Sequence, residues 1–208
     1  MNKSRLEALS DATFAIVFTL LVIEIRVPEH LADMSSAGLW HALQELSPLF
    51  AGYVITGLVL TMLWTTHSFF YGFVVKNINR QLASLNMLYL GLVSLIPFSA
   101  HMLGRYGEVK LAVALYGLHV LVIGLVIMAI FEYAMRSNEI DTSHNESRLL
   151  KQARVRMYLT PSCTALGIVA ALVGWFPLAL TLYIFPVLFN VIPGLLNKAE
   201  RLFGFRLS

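Results

Sequence analysis

Six stretches of about twenty mostly apolar residues run through this 208-residue chain, and they constrain its fold more than any other feature. An α-helix rises ~1.5 Å per residue, so ~20 residues cover a hydrocarbon core ~30 Å thick. The pattern predicts an all-α integral membrane protein with spans at about 9–27, 48–75, 82–103, 109–135, 158–174 and 176–196. Pro28 closes the first span, and Trp175, Phe176 and Pro177 make a very tight turn between the last two. Pro97, Pro161, Pro186 and Pro193 fall inside spans, where membrane helices tolerate proline because neighbours satisfy the freed backbone groups. No second domain, repeat or low-complexity tract interrupts residues 1–208, which read as one unit.

Composition supports lipid as the solvent: 58% of residues are hydrophobic and 13% charged, against ~25% charged in soluble domains. The net charge of +3 is too small and scattered for a nucleic-acid surface. A lone Cys163 gives neither a disulfide framework nor a paired thiol ligand, and no metal or cofactor is expected. The first apolar stretch is too long for a cleavable signal and lacks a small-residue cleavage site, so it reads as a true span. Between spans one and two, Leu39, Trp40, Leu43 and Leu46 recur at helical spacing among polar residues, which predicts a short helix at the membrane interface.

Lysine and arginine set the expected orientation. Twelve of the 15 fall on one side if the N-terminus is inside, leaving only Arg26, Arg105 and Lys110 on the other. Both termini are therefore expected in the cytoplasm, in a multi-pass protein of the cell (inner or plasma) membrane. The sequon at Asn145 then faces the cytoplasm. The outer segment after span one carries Glu24, Glu29, Asp33 and Glu45.

Polar groups at membrane depth are costly, which makes each a functional candidate. Asp11 in span one, Trp64 and His67 in span two and Asn86 in span three lie toward the cytoplasmic ends of their spans. At one depth they can satisfy each other, with Arg5 or Ser10 as further partners. The alternative is that Ser10 or Asp11 simply caps the N-terminus of the first helix. His119 in span four and Asn190 in span six complete the polar set.

In span one, Ile16, Leu20 and Ile23 share a stripe at about 100° per residue, bordered by Thr19, with Ala12 and Val27 extending it. An apolar stripe on a membrane helix is ordinarily packing surface. Around a symmetry axis, four such helices would instead stack rings of branched aliphatics into a constriction that gates by dewetting, with Thr19 hydroxyls replacing part of an ion's hydration.

The run from Arg5 to Pro28, with Ser10-Asp11-Ala12 near its start and Ile23-Glu24-Ile25 near its end, closely resembles the start of the bacterial transmembrane protein 175 potassium channels. Trp64-Thr-Thr-His67 looks like that family's second helix, and the run from Asn86 to Pro97-Phe98 looks like its third. Leu9 and Ala12 depart from the family's phenylalanine and glycine. The resemblance implies a potassium-selective leak channel without a carbonyl filter, whose pore is lined by the first helix. It implies Ile16, Leu20 and Ile23 as the constriction and Thr19 as the selectivity position. It also implies a network of Arg5, Ser10, Asp11, Trp64, His67 and Asn86. A one-unit chain would assemble as a homotetramer in the bilayer, with monovalent cations, above all K+, as permeant ions.

Glu24 would draw cations to the outer mouth unless it pairs with Arg26 or Lys110. An enzyme is not expected, because no paired carboxylates, metal-ligand spacing or nucleophile with a nearby base lies in the spans. The alternative is a proton-coupled secondary transporter or exchanger, with Asp11 and His67 shuttling protons. Transporters usually show repeated halves, and the two halves of this chain do not correspond.

Overall fold

The computed structural model describes residues 2–27, 33–142 and 147–191, all helix and short connections apart from a lone bridge between Val75 and Thr142. The described elements are α1 (Lys3–Ile23), α2 (Ser36–Glu45), α3 (Ser47–Phe69) with a π-turn (Phe70–Val74), α4 (Arg80–Ser94) and α5 (Ile96–Arg105). They continue as α6 (Lys110–Arg136), α7 (Ser147–Val173) and α8 (Phe176–Val191). Pro28, Glu29, Asn145, Pro193 and the end of the expected sixth stretch lie outside the described residues.

Among the described residues, four helical stretches are long and apolar enough to cross a bilayer: Lys3–Ile23, Ser47–Val74, Arg80–Arg105 and Lys110–Arg136. α7 and α8 add shorter apolar runs, Met157–Val173 and Phe176–Leu188. α7 begins 11 residues before the expected fifth stretch, because Ser147–Arg156 is polar yet helical. α2 occupies the segment expected to form an interfacial helix, with Leu39, Trp40 and Leu43 exposed. Ser35 caps it by accepting from Gly38 N, while Ser35 also donates from Oγ and N to Asp33. Those two bonds, the side-chain one foremost, hold the Asp33 carboxyl below the usual carboxylate range.

The third stretch is not one helix. α4 ends at Ser94 and α5 starts at Ile96, because Pro97 has no N–H and its ring crowds the preceding turn. α3 ends in a wide turn in which Val75 N–H reaches back five residues to Phe70 O. At the same end of the bundle the α3–α4 connection is clasped to the residues after α6. Lys76 N donates to Asp141 O, Asp141 N donates to Asn77 Oδ1, and Asn79 Nδ2 lies 2.6 Å from Tyr133 Oη.

α6, α7 and α8 pack together. Tyr183 of α8 fills a notch cut by Gly117 of α6 and Gly167 of α7, where a Cβ on Gly167 would come within 2.5 Å of the ring, and its hydroxyl donates to Val113 O at 3.1 Å. Gly174, at φ +97°, ends α7: Trp175 N donates to Ala170 O and Gly174 N to Ala171 O, the two bonds of a Schellman turn. α1 lies at the rim, against α3, α4 and α5. In its most apolar stretch 28% of residues are buried, against 50% in α6.

Candidate permeation site

α1 carries most of the residues that the sequence singles out. Its N-cap is Asn2, whose side chain accepts from Ser4 N at 3.2 Å. Ser10 and Asp11 therefore sit two turns inside the helix, and the capping role open to them from sequence does not apply. Leu6, Ser10, Phe14, Val17 and Leu21 form the buried face. Rotated about 120° from it lies a second stripe of Leu9, Ile16, Leu20 and Ile23, with Thr19 at its border. Ile16 is 58% exposed, Leu20 41% and Ile23 55%, so this subunit leaves the stripe uncovered. The helix ends at Ile23, so Val27 lies past it and does not extend the stripe.

Thr19 Oγ donates to Ile16 O at 2.7 Å. With its proton committed to the backbone, the hydroxyl presents lone pairs outward and acts as an acceptor.

The polar residues fall into two groups. One is a buried chain: Ser10 Oγ donates to Leu6 O at 2.9 Å, Asn86 Nδ2 donates to Ser10 Oγ at 3.2 Å, and Asn86 Oδ1 lies 2.7 Å from His67 Nε2. Ser10 has already given its proton, so it must accept from the carboxamide. Asn86 Oδ1 then faces His67 and accepts from Nε2–H. The imidazole stacks on Tyr89 at 5.4 Å and 10° and also touches Tyr71 and Phe14. Ser10, His67 and Asn86 are each at most 2% exposed.

The second group is a surface tie, in which Trp64 Nε1 donates to Asp11 Oδ1 at 2.9 Å. Asp11 sits about 150° around α1 from the Ile16 stripe, on the side toward α3. Arg5 is exposed, lies on the face of Ile16 and Ile23, and bonds no described residue. The six residues are thus brought to one end of the bundle without forming a single network.

At the opposite end Glu24 Oε2 lies 3.0 Å from His101 Nδ1 of α5. The expected partners, Arg26 and Lys110, are not the ones used. Sequence reasoning missed His101, although the six-span topology places it at the same end as Glu24. His119 bonds Ser99 and Leu92, and Asn190 accepts from Thr66 Oγ at 3.4 Å.

A rim helix with one uncovered apolar face, in a bundle whose described residues include four helices long and apolar enough to cross a bilayer, marks an all-helical membrane protein. Residues 5–97 match the family model described as endosomal/lysosomal potassium channel TMEM175. A potassium channel of Streptomyces collinus is 34% identical over 164 residues, which are 76% of this chain and 78% of the relative. A potassium channel of a Chryseobacterium species is 30% identical over 195 residues, 89% of this chain and 94% of the relative. The fold matches the crystal structure of a lysosomal potassium-selective channel TMEM175 homolog from Chamaesiphon minutus, with TM-score 0.78 and 23% identity over 91% of this chain and 98% of that one. The chain belongs to the TMEM175 family, a family of multi-pass membrane channels.

Proposed function

We propose that four copies of this chain form a potassium-permeable, modestly selective leak channel lined by α1, with six spans per copy and both termini in the cytoplasm of a cell (inner or plasma) membrane. The observation that carries the reading is the uncovered stripe of Ile16, Leu20 and Ile23 on a helix whose other face is packed in its own subunit. Four such helices around an axis form stacked aliphatic rings, a constriction that conducts when wetted and blocks when dry. Thr19 Oγ, held as an acceptor by its bond to Ile16 O, replaces part of the hydration of a passing cation. Side chains fix fewer dipoles on the ion than a cage of backbone carbonyls, so the preference for K+ is modest. Glu24, one residue beyond Ile23, adds negative charge at the outer mouth beside His101.

The Ser10–Asn86–His67 chain acts as a brace in this reading. It holds no carboxylate and is closed to solvent, and Asp11 points away from the axis with its bond given by Trp64. A proton-coupled exchanger needs a path between such groups and water, and the burial of His67 counts against it.

The experiment is K+ and Na+ flux into liposomes from purified protein, alongside Ile23→Asn. K+ uptake exceeding Na+ uptake, with a larger leak in the variant, supports the pore. Well-folded protein that passes no cation under any gradient rules it out.

A further inference from the structure

The third apolar stretch is held at its break by a residue outside it. Leu95 N–H closes a tight turn to Leu92 O at 3.1 Å. Half-buried His119 of α6 reaches both sides of the break: Nε2 lies 3.0 Å from Leu92 O in the last turn of α4, and Nδ1 lies 2.8 Å from Ser99 Oγ in the first turn of α5. Leu92 O can only accept, so Nε2 carries a proton and donates. With Nε2 protonated, Nδ1 accepts from the Ser99 hydroxyl, and Ile96 O at 3.0 Å is the alternative acceptor for that one proton.

Each half of the broken helix packs against α1. α4 adds the hydrogen bond from Asn86 Nδ2 to Ser10 Oγ at 3.2 Å, and α5 sets His101 Nδ1 3.0 Å from Glu24 Oε2, a close approach without hydrogen-bond geometry. The bend between α4 and α5 therefore sets the spacing of these two contacts and the tilt of the helix that packs on both halves.

We propose that His119 is a positioning residue for conduction: by bridging Leu92 and Ser99 it fixes the bend at Pro97 and so holds the Ile16, Leu20 and Ile23 stripe in place. The conduction half of this inference rests on the reading of α1 as the pore lining; the geometric half does not. Without the bridge the bend spreads over a range of angles, the aliphatic rings lose their common alignment, and water and cations pass less selectively.

Two readouts separate the halves. The first is the distance distribution between spin labels at Met87→Cys on α4 and Phe98→Cys on α5, both exposed, in a Cys163→Ala background. His119→Leu broadens it, and His119→Gln, whose side-chain amide can still donate to Leu92 O, keeps it narrow. An unchanged distribution in His119→Leu overturns the proposal whatever the channel does.

The second is liposome flux. His119→Leu raises K+ and Na+ leak about fivefold, the scale on which one hydrogen bond biases a two-state equilibrium, and lowers the K+ over Na+ ratio. His119→Gln recovers at least half of both changes. Monodisperse His119→Leu with wild-type flux and ratio, or a Gln variant as altered as Leu, overturns the role in conduction. If His119→Leu does not fold, Ser99→Ala decides: a smaller shift in the same direction supports the bridge, and wild-type behaviour overturns it. A wild-type protein without flux would sink the pore reading itself, while the label distances would still judge the bend.

Discussion

His67 and Asn86 meet 2.7 Å apart in a pocket closed to solvent, and the direction of that bond is set one residue away, by the proton that Ser10 gives to Leu6 O. A buried carboxamide used at both ends is hard to replace. Asn86→Ala leaves the His67 N–H without an acceptor and Ser10 without its donor. The expected loss is about 2–4 kcal/mol, read as a lowered thermal midpoint in detergent. A midpoint within about 1 °C of wild type would show that the chain does not brace the fold.

The Trp64–Asp11 tie is exposed, and solvent screens it. Trp64→Phe, which keeps one aromatic ring and removes the indole N–H with the pyrrole part, is expected to lower stability by no more than about 1 kcal/mol. Asp11→Asn keeps an acceptor and should be milder still. If Asp11→Asn instead abolishes flux while stability holds, Asp11 touches the ion path and its placement 150° from the stripe has been misjudged.

At Thr19 the hydroxyl is separable from the shape. Thr19→Val removes the oxygen at nearly constant volume and should shift the reversal potential toward that of an unselective pore, whereas Thr19→Ser should keep most of the K+ preference. Equal reversal potentials for the two variants would remove the hydroxyl from the selectivity argument.

If Glu24 serves the proposed pore by its charge, it acts through space and salt should tune it. Glu24→Gln is expected to lower K+ flux at ~10 mM salt, where the Debye length is ~30 Å, and to match wild type near ~1 M, where it is ~3 Å. A deficit that persists at high salt would mean that Glu24 serves by pairing with His101 and not by its field.

Tyr183 and its glycine notch offer a test of packing alone. Gly167→Ala drives a methyl against the Tyr183 ring and should cost about 1–3 kcal/mol. Adding Tyr183→Leu should return part of that loss. No recovery in the double variant would place the strain elsewhere.

Much of this arrangement was legible in the sequence, for a physical reason. A polar side chain inside an apolar run needs a partner at its own depth, which pointed Asp11, His67 and Asn86 toward one another with Ser10 as a further partner; packing gave Asp11 to Trp64 and set Ser10 in the buried chain. The 100° spacing separated Ile16, Leu20 and Ile23 from Phe14 and Val17 in the same way. Other features depend on tertiary context. Pro97 announces a break, but which side chain bridges it depends on how α6 lies against the two halves, and nothing local to His119 states that. Arg26 and Lys110 stood as alternative partners of Glu24 because they are the cations expected on its side of the membrane, while the packing of α5 beside α1 brought His101 near it. The helical start of α7 escaped because hydropathy detects where lipid begins and not where a helix does.

Only Gly174 and Trp175 separate α7 from α8, and the left-handed glycine locks both carbonyl bonds of the turn. With Tyr183 keyed into Gly117 and Gly167 as well, α6, α7 and α8 have no slack in which to slide past one another. They act as a chassis. In the proposed channel, freedom to move is left to the other half, where α1 packs on α4 and α5, and a label seeking an opening motion should be placed there.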